Sequence, residues 1–123
     1  MISIRGHHLP VLKFYLHKGY IVIPNDLGYG PKIGEDVTKL FERIIETPAE
    51  QIFITNGTDS ICSLCNKRRD SCSDPGARYN DNVFIGLYGL EKYKTYRAKK
   101  LTNIIKNNVK RDYISPLTSI IKW

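Results

Sequence analysis

The chain has 123 residues, of which 41% are hydrophobic and 25% charged, proportions that fit one globular domain over 1–123 and exclude a wholly disordered chain. No run of eighteen uncharged apolar residues is present, and Met1-Ile2-Ser3-Ile4-Arg5 lacks the apolar core of a signal peptide, so no membrane span and a cytoplasmic location are expected. Nineteen Lys and Arg against twelve Asp and Glu give a net charge of +7.

Met1 to Ile4 alternates apolar and polar residues, as a short strand does. After Arg5-Gly6-His7-His8, residues Leu9 to His17 read as a short helix with Pro10 in its first turn and Gly19 as its stop. The apolar run Tyr20 to Ile23 is closed by Pro24, and residues 24–34 form a loop rich in glycine and proline, a lid or an insertion. From Glu35 to Glu46, Val37, Leu40, Phe41, Ile44 and Ile45 recur at the spacing of one helix face. Gln51 to Thr55 reads as a second strand ended by Asn56-Gly57, able to pair with the first.

The stretch 57–78 has almost no apolar periodicity and carries all three cysteines, so it is expected to be a Cys-rich metal loop. Asp81 to Tyr88 reads as a short helix stopped by Gly89. Thr95 is a suitable cap for a helix with Leu101, Ile104, Ile105 and Val109 on one face, and Ser115-Pro116 opens a last turn or two. The expected fold is a small α+β domain, mostly helical, with a short sheet of two or three strands.

The cysteines, Cys62, Cys65 and Cys72, follow the spacing C-x2-C-x6-C. In a reducing compartment such clustering points to metal or redox chemistry before a disulfide staple. Two cysteines separated by two residues can grip one metal from a tight turn, and Lys67, Arg68 and Arg69 would favour the thiolates. A tetrahedral site needs a fourth ligand, which His7 or His8 can supply, whereas His17 suits a helix C-terminus. The cofactor is then a zinc ion or an iron–sulfur cluster, and a cluster would imply electron transfer with a redox partner protein. A redox dithiol is the competing reading of the C-x2-C pair, though no apolar helix opens at Ser63.

Residues 91–112 form a basic region expected to be helical, with eight Lys and Arg against two bounding acids. Lys92, Lys94, Arg97, Lys99 and Lys100, interleaved with Tyr93 and Tyr96, make nucleic acid or an acidic protein the alternative partner. Serine-hydrolase, P-loop and H-E-x-x-H patterns are absent, and Asp26, Glu35, Asp59 and Asp74 cannot be paired from sequence. No catalytic residue is assigned; an open metal position that activates water is the remaining route to an enzyme.

The segments Arg5-Gly6-His7-His8-Leu9, Lys18-Gly19-Tyr20 and Asp59-Ser60-Ile61-Cys62-Ser63-Leu64-Cys65, with Cys72, Gly89-Leu90 and a helix start from Thr95 to Leu101, occur in an order that resembles an uncharacterised family, domain-of-unknown-function family 1284. It groups small archaeal and bacterial proteins associated with iron–sulfur binding, so the resemblance implies a metal site. Where the family's R-x-H-H-L-L-C-L motif places its first cysteine, this chain has Val11. Either a histidine replaces that thiolate, or a cluster keeps a non-cysteine ligand, or the site is degenerate.

Overall fold

The two strands expected at residues 1–4 and 51–55 lie side by side in the computed structural model, which describes residues 1–21, 33–64 and 75–108. Strand β1 (Ile2–Arg5) runs parallel to β2 (Gln51–Thr55), with Ile2 opposite Ile52 and Arg5 opposite Thr55. A parallel pair needs a long crossover, and the chain between them supplies helices α1 (Leu9–Lys18) and α2 (Ile33–Glu46). Strand β3 (Thr95–Arg97) adds to β2 in the antiparallel sense, so the order is β1-β2-β3. Two further helices, α3 (Pro75–Leu87) and α4 (Ala98–Lys106), complete the described α+β architecture.

Side chains alternate across a sheet, and here the alternation separates two environments. Ile2, Ile4, Ile52, Ile54 and Tyr96 face the helices and are buried. Ser3, Phe53, Thr95 and Arg97 take the opposite face and are half-buried or exposed. Helix α1 is buried along most of its length, from Leu9 to Tyr15, and Val11 is one of its core residues. Helix α2 buries only the stripe Ile33, Val37, Phe41 and Ile44, as its amphipathic spacing requires, and Phe41 meets Tyr15 at 5.5 Å. Leu101 and Ile105 of α4 close the core between them.

Several boundaries differ from the sequence reading: α2 already begins at Ile33, within the span read as a loop, and the larger differences lie at α3 and α4. Helix α3 begins at Pro75 rather than Asp81, because proline is preorganised for a first turn and five polar residues from Arg78 to Asn82 continue the helix without an apolar signal. Its end agrees: Gly89 adopts φ +69°, and Leu90 N–H donates to Ile85 O at 3.0 Å, the closing bond of a Schellman turn. Thr95 is the first residue of β3, not a helix cap. Backbone pairing with Phe53 outcompetes the local cap, and α4 starts at Ala98. The basic region is therefore a turn, a strand and a helix in succession. Residues 65–74, with Cys65 and Cys72, most of the 24–34 loop and everything after 108 lie outside the described residues. None of the described helices is long and apolar enough to cross a membrane.

Candidate metal centre

Parallel pairing decides which parts of the chain meet. The C-terminal ends of β1 and β2 lie at the same end of the sheet, so the turn after β1 and the turn after β2 converge there. The first is the 3-10 turn Gly6–His8. The second runs from Asn56 to a 3-10 turn at Cys62–Leu64. Ser60 binds it to the edge of β1: Ser3 N–H donates to Ser60 Oγ at 2.9 Å, and Ser60 N–H to Ser3 O at 3.1 Å.

Asp59 is the hub of this end. Its Oδ2 accepts from Arg5 N–H at 2.7 Å and from His8 Nδ1 at 2.8 Å, while Oδ1 accepts from Cys62 N–H at 2.9 Å. A carboxylate has about four lone-pair sites. Three are filled by these N–H groups, and the Cys62 thiol meets the same carboxylate. With Asp59 as the acceptor, Nδ1 is the ring nitrogen turned towards the carboxylate. His8, Asp59 and Cys62 are all buried, and their donor atoms lie within 4.8 Å of one another. Imidazole, carboxylate and sulfur at that spacing form a group within metal-binding distance.

Burial raises the Asp59 carboxyl, but the neighbouring His8 and the two backbone N–H groups overcome it and hold the acid at about 2. The opposite balance applies to Cys62. Burial, then the Asp59 charge, pushes its thiol up to about 11, despite the Arg5 guanidinium at 3.6 Å from Sγ. Without a metal this sulfur is a protonated thiol at neutral pH, unlike an activated redox cysteine. A bound cation reverses that preference by stabilising the thiolate directly.

A second carboxylate supports the first turn. Asp81, on α3, takes the Arg5 side chain in a fork, with Nε at 3.0 and 3.1 Å and Nη2 at 2.8 Å. It also accepts from His7 N–H at 3.0 Å and lies 2.7 Å from His7 Nδ1. Burial opposes its charge, yet His7 and Arg5 keep it below the usual carboxylate range. His7 is driven below the ordinary histidine value by burial first, with the charges of His8 and Arg5 adding to it. The paired histidines thus separate: His8 turns to Asp59 and Cys62, His7 to Asp81, with ring centroids 4.5 Å apart.

Gly6 allows this arrangement. A Cβ there would sit 1.9 Å from the Asp81 carbonyl oxygen, a backbone atom that cannot move aside cheaply. Gly6→Ala is expected to destabilise the protein by about 2 kcal/mol or more, measured by urea denaturation, because α3 must retreat from the turn. Acid acts on the same end. The stabilisation carried by Asp59 is present above the ordinary carboxylate pKa and is lost as pH falls from about 4 towards about 2. Roughly 2 kcal/mol is expected to disappear over that window in urea midpoints, with Asp81 contributing in the same direction.

Of the residues singled out from sequence, the structure brings Cys62 and His8 together, and Val11 lies in the apolar core without a donor atom. Arg97, Lys99 and Lys100 are exposed at the other end of β2, whereas Lys92 and Lys94 are exposed on the turn before β3, beside Ile54 and so at the same end of β2 as Asp59. Arg5, Asp59 and Asp81 were not picked out as site residues. Asp81 had a visible signal, a carboxylate in register with Phe84, Ile85 and Tyr88 on the apolar face of a helix. No curated protein and no solved structure matches the chain. A family model matches residues 28–120, a span that includes Asp59, Cys62 and Asp81 and starts after the Arg5–His8 turn. On that match, the chain belongs to the family described as Protein of unknown function (DUF1284).

Proposed function

We propose that this is a metal-binding protein whose centre is built on His8, Asp59 and Cys62. The observation that carries the reading is the convergence of three buried donors of different kinds at the shared end of two parallel strands. Among the described residues the donors are one nitrogen, one oxygen and one sulfur, a mixed set that zinc accepts. A cation held by His8 Nδ1 and Asp59 would take the place of the proton these two atoms share at 2.8 Å. Arg5, hydrogen-bonded to Cys62 Sγ, would offset the charge of a thiolate ligand. Cys65 is the next donor by C-x2-C spacing, and Cys72 the one after it. A filled site of this kind is structural and ties the N-terminal turn to the segment after β2; iron with sulfide at the same residues would give it an electron-transfer role.

Cobalt titration under reducing conditions tests this. One Co2+ per chain is expected, with a sulfur-to-cobalt charge-transfer band that Cys62→Ser removes or strongly reduces. Asp59→Asn is expected to weaken uptake by about 10–100-fold. A wild-type chain that takes up no cobalt, or a band of unchanged intensity in Cys62→Ser, would refute the centre.

A further inference from the structure

The face of the sheet turned away from the helices carries an aromatic pair that the metal centre does not use. Phe53, in the middle strand, is half-buried on this face, and the Tyr93 ring stacks beside it at 6.2 Å and 19°. Tyr93 is 56% exposed, yet it is held from three directions. Its hydroxyl donates to Asn56 Oδ1 at 2.6 Å, its N–H donates to Ile54 O at 2.6 Å, and Lys92 Nζ lies 5.2 Å from the ring centre.

Its backbone is strained. Tyr93 has φ +62°, a left-handed conformation, and it is the one non-glycine residue with positive φ among the described residues. Tyr93 and Lys94 together oppose Ile54, since Ile54 N–H donates to Lys94 O at 3.0 Å, so Tyr93 occupies the bulge position that glycine normally takes. A bulky side chain there costs on the order of 1 kcal/mol, and strain of this sort persists where the surroundings over-determine it. Here the result is an exposed ring held beside Phe53.

The charge around it has one sign. From residue 91 to 108 there are six cations against the single acid Glu91, which pairs with Lys94 at 3.1 Å. Arg97 stands opposite Gln51 on the same sheet face, and Lys99 and Lys100 follow it, all exposed. The N-terminus of α4 is not what meets an anion, because Ala98 and Lys99 N–H already donate to Glu50 O and Pro48 O at 2.8 and 3.1 Å. Recognition would fall to the side chains.

We propose that this face binds single-stranded nucleic acid, with bases stacked on Tyr93 and Phe53 and phosphates met by Lys92, Arg97, Lys99 and Lys100. Rigid aromatic rings interleaved with cations suit an unpaired strand, whose bases are free to stack, rather than a duplex or an acidic peptide. A base over Tyr93 takes the place of Lys92 and releases that ammonium to the adjoining phosphate. The proposal is independent of the metal centre, since none of these side chains is a donor there.

The test is binding of labelled oligouridylate to the full chain, with an RNA duplex and polyglutamate for comparison. The single strand is expected to bind best and to weaken steeply with salt. Tyr93→Gly removes the ring while relieving the left-handed strain, so the fold is kept, and affinity is expected to drop about tenfold. Tyr93→Phe keeps most of it, and Arg97→Glu with Lys99→Glu abolishes it. Absence of binding, equal binding by polyglutamate, or full affinity in Tyr93→Gly each overturn the proposal.

Discussion

Asp81→Asn is expected to destabilise the protein by about 3–5 kcal/mol. Arg5 and Asp81 have no solvent exposure, so neutralising the carboxylate strands a guanidinium in the interior. The same change weakens the acceptor for His7 N–H and for its ring. Domain stabilities are commonly only about 5–15 kcal/mol, so Asp81→Asn leaves a barely folded chain. Urea denaturation followed by circular dichroism measures the loss. Removing both charges in Arg5→Met with Asp81→Leu is expected to recover much of it, because a buried pair costs about as much to desolvate as it returns. A shift below about 1 kcal/mol for Asp81→Asn would show that Arg5 is not buried as described.

Asp59→Asn is the second large effect, and it separates structure from metal. An amide cannot accept at both oxygens: with its oxygen towards Arg5 and His8, its NH2 faces Cys62 N–H, donor against donor. A cost of roughly 1–3 kcal/mol is expected without metal. Cys62→Ser is nearly isosteric and is expected to change metal-free stability by under about 1 kcal/mol. Zinc distinguishes the two losses. At a hundredfold excess over the wild-type dissociation constant it adds about 2.7 kcal/mol to the wild-type chain, and it is expected to add only about 0.4–1.4 kcal/mol to Asp59→Asn and almost nothing to Cys62→Ser. Thermal denaturation with and without zinc reads both quantities.

Much of the fold was legible because periodicity survives into the structure. The α2 stripe, the β1 and β2 alternation and the stops at Gly19 and Gly89 all follow from short-range rules. Thr95–Arg97 was not legible, since its strand state depends on β2, more than forty residues away. The start of α3 was hidden by its polar first turns, which carry no apolar spacing. At the site, cysteine and histidine types were visible as chemistry, while Asp59 looked like one acid among twelve. Its role appears only when β1 and β2 run parallel, which places the turn holding His8 against the turn holding Cys62. Arg5 carries no mark of burial in the sequence, and its partner Asp81 lies on α3, far along the chain. Tyr93 carried no sequence mark of its left-handed backbone, because tyrosine rarely adopts it.

The most direct test of the metal centre is elemental analysis of the wild-type protein purified without oxygen or chelator, beside Cys62→Ser prepared the same way. The account predicts about one zinc per chain in the wild type and little in the variant. Iron with acid-labile sulfide would keep the centre and replace zinc with a cluster. A wild-type chain without metal, or one whose metal content is indifferent to Cys62, would contradict the account.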